Sequence, residues 1–159
     1  MELSALYQIF LECNTVTTDS RNCPKGSMFI ALKGDSFNGN AFATQAINDG
    51  CAYAIVDEAA HVVKGDKRYI LVDSCIETLQ QLANYHRRQL GTRIIGITGT
   101  NGKTTTKELI SAVLSQSYNV LYTQGNLNNH IGVPVTLLRL KAEHDLAYKG
   151  HYRIVTIRP

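Results

Sequence analysis

Apolar residues at positions 3, 6, 7, 10 and 11 recur with helical spacing, so Leu3, Leu6, Tyr7, Phe10 and Leu11 predict a helix over about 3–13 with one face turned inward. The stretch TTDSRNCPKG is polar and rich in turn formers and predicts a loop. The apolar run at 28–32 is too short for a helix and reads as a buried strand. Asn38-Gly39 predicts a turn, and the pattern over about 41–49 a helix that Gly50 stops from the C′ position. Two more strands are expected at 52–56 and 69–72. Ser74-Cys75-Ile76-Glu77 matches a capping box, with Ser at the N-cap and Glu at N3, and opens a helix that runs to about Leu90 before Gly91 ends it.

Past Gly91 the pattern restarts. A β-branched strand at 93–98, a glycine-rich turn, a helix over about 103–116 and a strand at 119–122 form a βαβ unit. The polar loop TQGNLNNH then leads into a short helix over 131–140, with Pro134 acceptable in its first turn. Alternating strands and helices in both halves make the fold class α/β, with a domain boundary at Leu90–Gly91.

Composition narrows the class. At 159 residues, 44 % hydrophobic and 18 % charged, the chain is neither disordered nor fibrous. Its longest apolar stretches, such as YILV and VPVTLL, are far short of the ~18 residues of a membrane span. Glu2 and Ser4 interrupt any leader pattern at the start, so no signal peptide is expected. A net charge of +3 is too mild to argue for nucleic acid. These features together point to a cytoplasmic protein with neither a membrane nor a nucleic-acid partner. Cys13, Cys23, Cys51 and Cys75 form no C-x-x-C pair and read as small buried thiols; the histidines make no metal-ligand spacing.

The chemical signal is Ile95-Gly96-Ile97-Thr98-Gly99-Thr100-Asn101-Gly102-Lys103-Thr104-Thr105. Gly99 and Gly102 let the backbone turn its N–H groups toward an anion, and the following helix N-terminus adds partial positive charge. Lys103 supplies a full charge to the β- and γ-phosphates, and the Thr104 hydroxyl is a ligand for Mg²⁺. The strict pattern G-x-x-x-x-G-K-[ST] is missed, because its first glycine falls on Ile97. Strand before, helix after and Lys-Thr in register nonetheless favour a nucleoside triphosphate site over a mere connection.

T-G-T-N-G-K-T-T in this form resembles the Mur ligase family, which builds the peptide stem of cell-wall precursors, and its folylpolyglutamate synthetase relatives. V-T-T-D-S-R (16–21) and G-S-M-F-I-A-L-K-G-D-S-F-N-G-N-A-F-A (26–43) are similar to the uridine-nucleotide-binding N-terminal domain of the two late-acting ligases. G-N-L-N-N-H-I-G-V-P-V-T-L-L (125–138) resembles the last of the series, the branch that adds D-alanyl-D-alanine. The resemblance implies a small N-terminal α/β UDP-binding domain over 1–90 and, over 92–147, the first part of a P-loop central ATPase domain with a truncated parallel sheet.

On this resemblance Gly99, Thr100, Asn101, Gly102, Lys103, Thr104 and Thr105 bind ATP, with Thr104 on magnesium and Lys103 and Thr104 the catalytic pair. Ser20, Arg21, Lys33, Gly34, Asp35, Ser36 and Phe37 match positions that hold the UDP part of the substrate. Asn126, Asn128, Asn129 and His130 match positions near the γ-phosphate or the acyl group. The implied substrates are UDP-N-acetylmuramoyl-tripeptide and D-alanyl-D-alanine, joined by a monomeric enzyme through an acyl phosphate. For D-S-R alone the alternative is an Asx-type turn with a surface arginine; for N-L-N-N-H it is a polar loop capping the helix at Ile131.

The family continues after this helix into a strand with a V-x-E-M-G pattern, whose glutamate holds magnesium. This chain instead runs E-H-D-L-A-Y-K-G-H-Y-R-I-V-T-I-R-P. Residues 148–159 therefore read as an aberrant tail, from a frameshifted or truncated continuation, and the chain by itself as inactive. The alternative is a non-catalytic nucleotide-binding module or an inert fragment.

Overall fold

The computed structural model describes residues 2–97, 101–122 and 129–150, with the backbone alone over 146–150. The chain divides into two compact units, Met1–Leu82 and Ala83–Pro159. The division falls inside one helix, Cys75–Leu90.

The first unit is built on a four-stranded sheet. Helix α1 (Leu3–Glu12) precedes strands β1 (Val16–Thr17) and β2 (Met28–Ile30). A 3₁₀ turn at Gly39–Phe42 leads into α2 (Ala43–Asn48), followed by β3 (Tyr53–Val56), β4 (Tyr69–Leu71) and α3 (Cys75–Leu90). The strand order is β1-β2-β3-β4 and every pair is parallel. That geometry explains the unbroken apolar run at 28–32. Met28, Phe29, Ile30 and Ala31 are each at most 1 % exposed, as expected of a sheet covered on both faces. Leu6, Tyr7 and Phe10 of α1, Ala43, Ala46 and Ile47 of α2, and Leu79 and Leu82 of α3 complete this core.

The elements begin and end where local chemistry dictates. Ser74 Oγ accepts from Glu77 N at 3.3 Å, the expected cap of α3. Gly50 takes φ 118° just past α2, in the left-handed region that a side chain would resist. Gly39 is needed for a different reason than a turn. A Cβ there would lie 2.4 Å from the Leu32 carbonyl oxygen, so the chain can pass only without a side chain. Leu11, expected on the buried face, is 54 % exposed, because α1 buries a narrower stripe centred on Leu6, Tyr7 and Phe10. Of the cysteines, Cys51 and Cys75 are buried and Cys13 and Cys23 half-buried, all as free thiols. Burial pushes Cys75 up to about 12, which leaves an unreactive thiol.

In the second unit β5 (Arg93–Ile97), α4 (Lys103–Leu114), β6 (Val120–Tyr122), α5 (Gly132–Leu137) and β7 (Leu146–Gly150) follow in order. The sheet order is β5-β7-β6, all parallel, so β7 lies between the two strands of the expected βαβ unit. Residues 148–150, assigned to an aberrant tail on composition, are thus the end of the central strand here. Residues 151–159 lie outside the described residues. Asn119 N donates to Asp145 Oδ2 at 2.9 Å and Asp145 N to the Asn119 carbonyl at 3.0 Å, which fixes the start of β7 against β6. A small core joins Leu121 and Leu140 to Leu90, Ile94 and Leu137. Beside it His86 is buried with Nε2 2.9 Å from the Leu140 carbonyl oxygen, and burial lowers its pKa despite that bond.

Candidate functional site

Parallel strands all end at the same edge of their sheet, and in open α/β sheets ligands bind outside those carboxyl ends. The first unit presents its candidate residues there: β1 runs into Asp19, Ser20 and Arg21, β2 into the segment 33–38, and β3 into Asp57 and Glu58. In the second, the described candidates are Asn101 to Thr105, at the start of α4, and Asn129 and His130, just before α5.

The segment after β2 is a tight hairpin. Lys33 and Asn38 form an antiparallel bridge, and Gly34 N donates to the Phe37 carbonyl at 3.0 Å. A Cβ on Gly34 would meet the Phe37 ring at 2.4 Å, so the ring closes over the glycine. Phe37 is 56 % exposed all the same, and Asp35 and Ser36 are exposed at the tip. Lys33 Nζ lies 3.1 Å from Asp57 Oδ1 and 3.4 Å from Glu58 Oε1, and its pKa rises because of those carboxylates, Asp57 first.

Asp57 and its partners escape sequence reasoning. The Asp57 side chain is 8 % exposed. Its Oδ1 accepts from Asn40 Nδ2 at 2.8 Å, its Oδ2 from Cys75 N at 3.2 Å, and its own N–H donates to Asn40 Oδ1 at 3.0 Å. Asn40 Nδ2 also donates to Asn38 Oδ1 at 2.9 Å, and Asn38 Nδ2 to Glu58 Oε2 at 2.9 Å. The only signal in the sequence is position: an acidic pair directly after a buried strand.

Ser20 is half-buried and Arg21 exposed. The Arg21 guanidinium folds back on Asp19 with two contacts of 2.9 Å, and Arg21 N donates to Asp19 Oδ1 at 3.0 Å. This is the Asx-type turn expected of D-S-R read alone. The side-chain and backbone hydrogen bonds from Arg21 lower the Asp19 carboxyl to about 2. An incoming anion must therefore compete with a carboxylate already on the fork.

In the second unit Gly102 has φ 75° and ψ 0°, a left-handed residue immediately before α4, and no side chain caps that end. The first intrahelical bond runs from Thr106 N to the Gly102 carbonyl at 2.9 Å. Asn101, Thr104 and Thr105 are exposed and Lys103 half-exposed. Thr98, Gly99 and Thr100 lie outside the described residues, as do Asn126 and Asn128. Asn129 is described, and it caps: its Oδ1 accepts from Gly132 N at 2.7 Å and Ile131 N at 3.2 Å. His130 is exposed beside it.

This donor set fits a triphosphate: a left-handed glycine, a lysine, hydroxyls and the uncapped start of a 12-residue helix. It fits a divalent cation less well. Among the described residues no three His, Cys, Asp or Glu are placed to share a metal, and β7 has no acidic residue. Such an ion would rest on Thr104 and the nucleotide's own phosphates.

The Mur ligase family, catalytic domain, matches residues 12–87, and the Mur ligase middle domain matches residues 97–148. The chain belongs to the Mur ligase family. Among curated relatives it is 45 % identical to the UDP-N-acetylmuramoyl-tripeptide–D-alanyl-D-alanine ligase of Bacillus subtilis (strain 168), across 83 % of this chain and 29 % of that one. The enzyme of the same name from Escherichia coli (strain K12) is 42 % identical over 84 % of this chain and 29 % of its own length. Among solved structures, MurF from Acinetobacter baumannii superposes with a TM-score of 0.80 at 34 % identity, covering 93 % of this chain and 35 % of that one. MurF ligase from Thermotoga maritima in complex with ADP gives 0.77 at 28 % identity, covering 89 % and 32 %. This Mur ligase chain therefore spans about a third or less of the length of these relatives.

Proposed function

We propose that the chain carries the UDP-substrate end and the ATP-phosphate end of an amide ligase that adds D-alanyl-D-alanine to UDP-N-acetylmuramoyl-tripeptide. The observation that carries this is Gly102 at φ 75°, directly ahead of Lys103 and Thr104 at the first turn of α4. Residues 1–90 form the UDP-binding part, through Ser20, Arg21 and Lys33 to Phe37. Residues 92–147 supply the phosphate turn Gly99 to Thr105, with Asn126, Asn128, Asn129 and His130 toward the acyl group. The protein works as a cytoplasmic monomer, with Mg²⁺ accompanying ATP and no membrane or nucleic-acid partner.

In the ligation the terminal carboxylate of the tripeptide attacks the γ-phosphorus of ATP, the bond to the β-phosphate breaks, and ADP leaves behind an acyl phosphate. The D-alanyl-D-alanine amine then attacks the activated carbonyl, and phosphate leaves. A free carboxylate is a poor acyl donor, so phosphorylation supplies the leaving group. Lys103 neutralises charge building on the phosphates, and the helix N–H groups hold their oxygens in line.

The absence of any acidic residue in β7 favours a second statement: this chain binds but does not turn over. Incubation with UDP-N-acetylmuramoyl-tripeptide, D-alanyl-D-alanine and Mg-ATP should show saturable binding of the UDP-tripeptide and no release of ADP. Failure to bind the UDP-tripeptide contradicts the ligase reading. D-alanyl-D-alanine-dependent ADP release contradicts the second statement.

A further inference from the structure

We propose that Asp57 is a positioning residue that clasps the 33–38 hairpin in its ligand-ready shape, with Lys33 serving the clasp rather than a phosphate. The inference rests on the UDP-site reading and assigns a division of labour within that site.

Three elements converge on this carboxylate. Oδ1 takes Lys33 Nζ at 3.1 Å and Asn40 Nδ2 at 2.8 Å, and Oδ2 takes the first N–H of α3, Cys75 N, at 3.2 Å. The return strand of the hairpin is held in parallel, because Asn38 Nδ2 donates to Glu58 Oε2 at 2.9 Å. Asn40, itself 1 % exposed, joins the two anchors, donating to both Asn38 Oδ1 and Asp57 Oδ1. Both strands of the hairpin are thus tied to the end of β3 by side chains, and only its tip is left outside the network.

Charge decides what Lys33 can do. The Lys33 ammonium sits between two carboxylates, and the His61 imidazole lies 3.4 Å from Glu58 Oε2, so the cluster has no surplus of positive charge in either state of that histidine and offers a diphosphate little attraction. Recognition is left to the tip, where exposed backbone and the Phe37 ring are presented by a loop that need not order on binding.

Asp57→Asn replaces one acceptor oxygen with a donor that faces either Cys75 N–H or Asn40 Nδ2, and it removes the charge from Lys33. Lys33→Met tests the same clasp from the hairpin side, should the first variant fold poorly. Uridine and UDP are titrated separately against the full chain. In both variants affinity for the two ligands should fall by the same factor, roughly tenfold or more. In the ligand-free state hydrogen exchange should quicken at Gly34 and Asn40, while the core amides of Ala31 and Ala54 stay protected. Wild-type affinity in Asp57→Asn overturns the proposal. So does a loss for UDP that uridine does not share, since Lys33 would then be touching the diphosphate. If the unsubstituted chain binds neither ligand yet exchange quickens as described, the UDP-site reading fails and the clasp stands.

Discussion

Burial alone would push the Asp57 carboxyl upward, but the hydrogen bonds from Asn40, Cys75 N–H and Lys33 outweigh it and hold the group below its usual value. A carboxylate depressed in the folded state contributes stability that is complete above its unfolded pKa and is lost as pH falls through the folded one. The chain should therefore lose stability below about pH 4. Glu58, Asp66 and Asp19 are lowered as well, each mainly by a hydrogen bond, so the wild-type slope is shared among several groups. Asp57→Asn isolates one of them. Thermal melts at pH 7 and at about pH 3 should show a smaller acid loss in the variant than in the parent. Equal losses contradict the assignment. At Arg21 the same residue-scale reasoning gives a different result, because its ion pair with Asp19 is solvent-exposed and contributes little to stability.

At the scale of elements, α3 is the longest helix and the one whose first turn meets Asp57. Leu79, fully buried on that helix, should cost about 2–5 kcal/mol when cut to alanine. Leu11→Ala, on the exposed side of α1, should change stability by no more than about 0.5 kcal/mol. Urea midpoints of the two variants make the comparison, and similar losses would show that the core has been misread. Most elements were legible from sequence because their ends carry the information. Ser74 caps α3, Gly91 ends it with φ 65°, and Gly50 ends α2. Two strands were not legible. Val16–Thr17 is too short for a two-residue period to show and becomes a strand only by pairing with Met28 and Phe29. Leu146–Gly150 holds Tyr-Lys-Gly where a central strand usually carries aliphatic residues, and its place is set by backbone pairing with β5 and β6. The candidate site divides in the same way. Lys103 and Thr104 announce themselves by spacing after a strand, whereas Asp57 and Asn40 matter through contacts 17 residues apart that no local pattern encodes.

For the whole molecule, each of the two units brings its own parallel sheet. The first is the better packed, with β2 fully buried and β3 buried from Ala54 to Val56 at its centre, while every residue of β5 after Arg93 is only half-buried. No helix among the described residues is long and apolar enough to cross a membrane. The chain matches two successive family domains and about a third or less of its relatives' length, so nucleotide binding is the activity most directly open to test. That test is calorimetric titration of Mg-ATP into the full chain and into Lys103→Ala. The account predicts saturable binding by the parent and a loss of about 1.5–3 kcal/mol, or roughly ten- to a hundredfold in affinity, in the variant. Unchanged affinity in Lys103→Ala, or no binding by the parent, would contradict it.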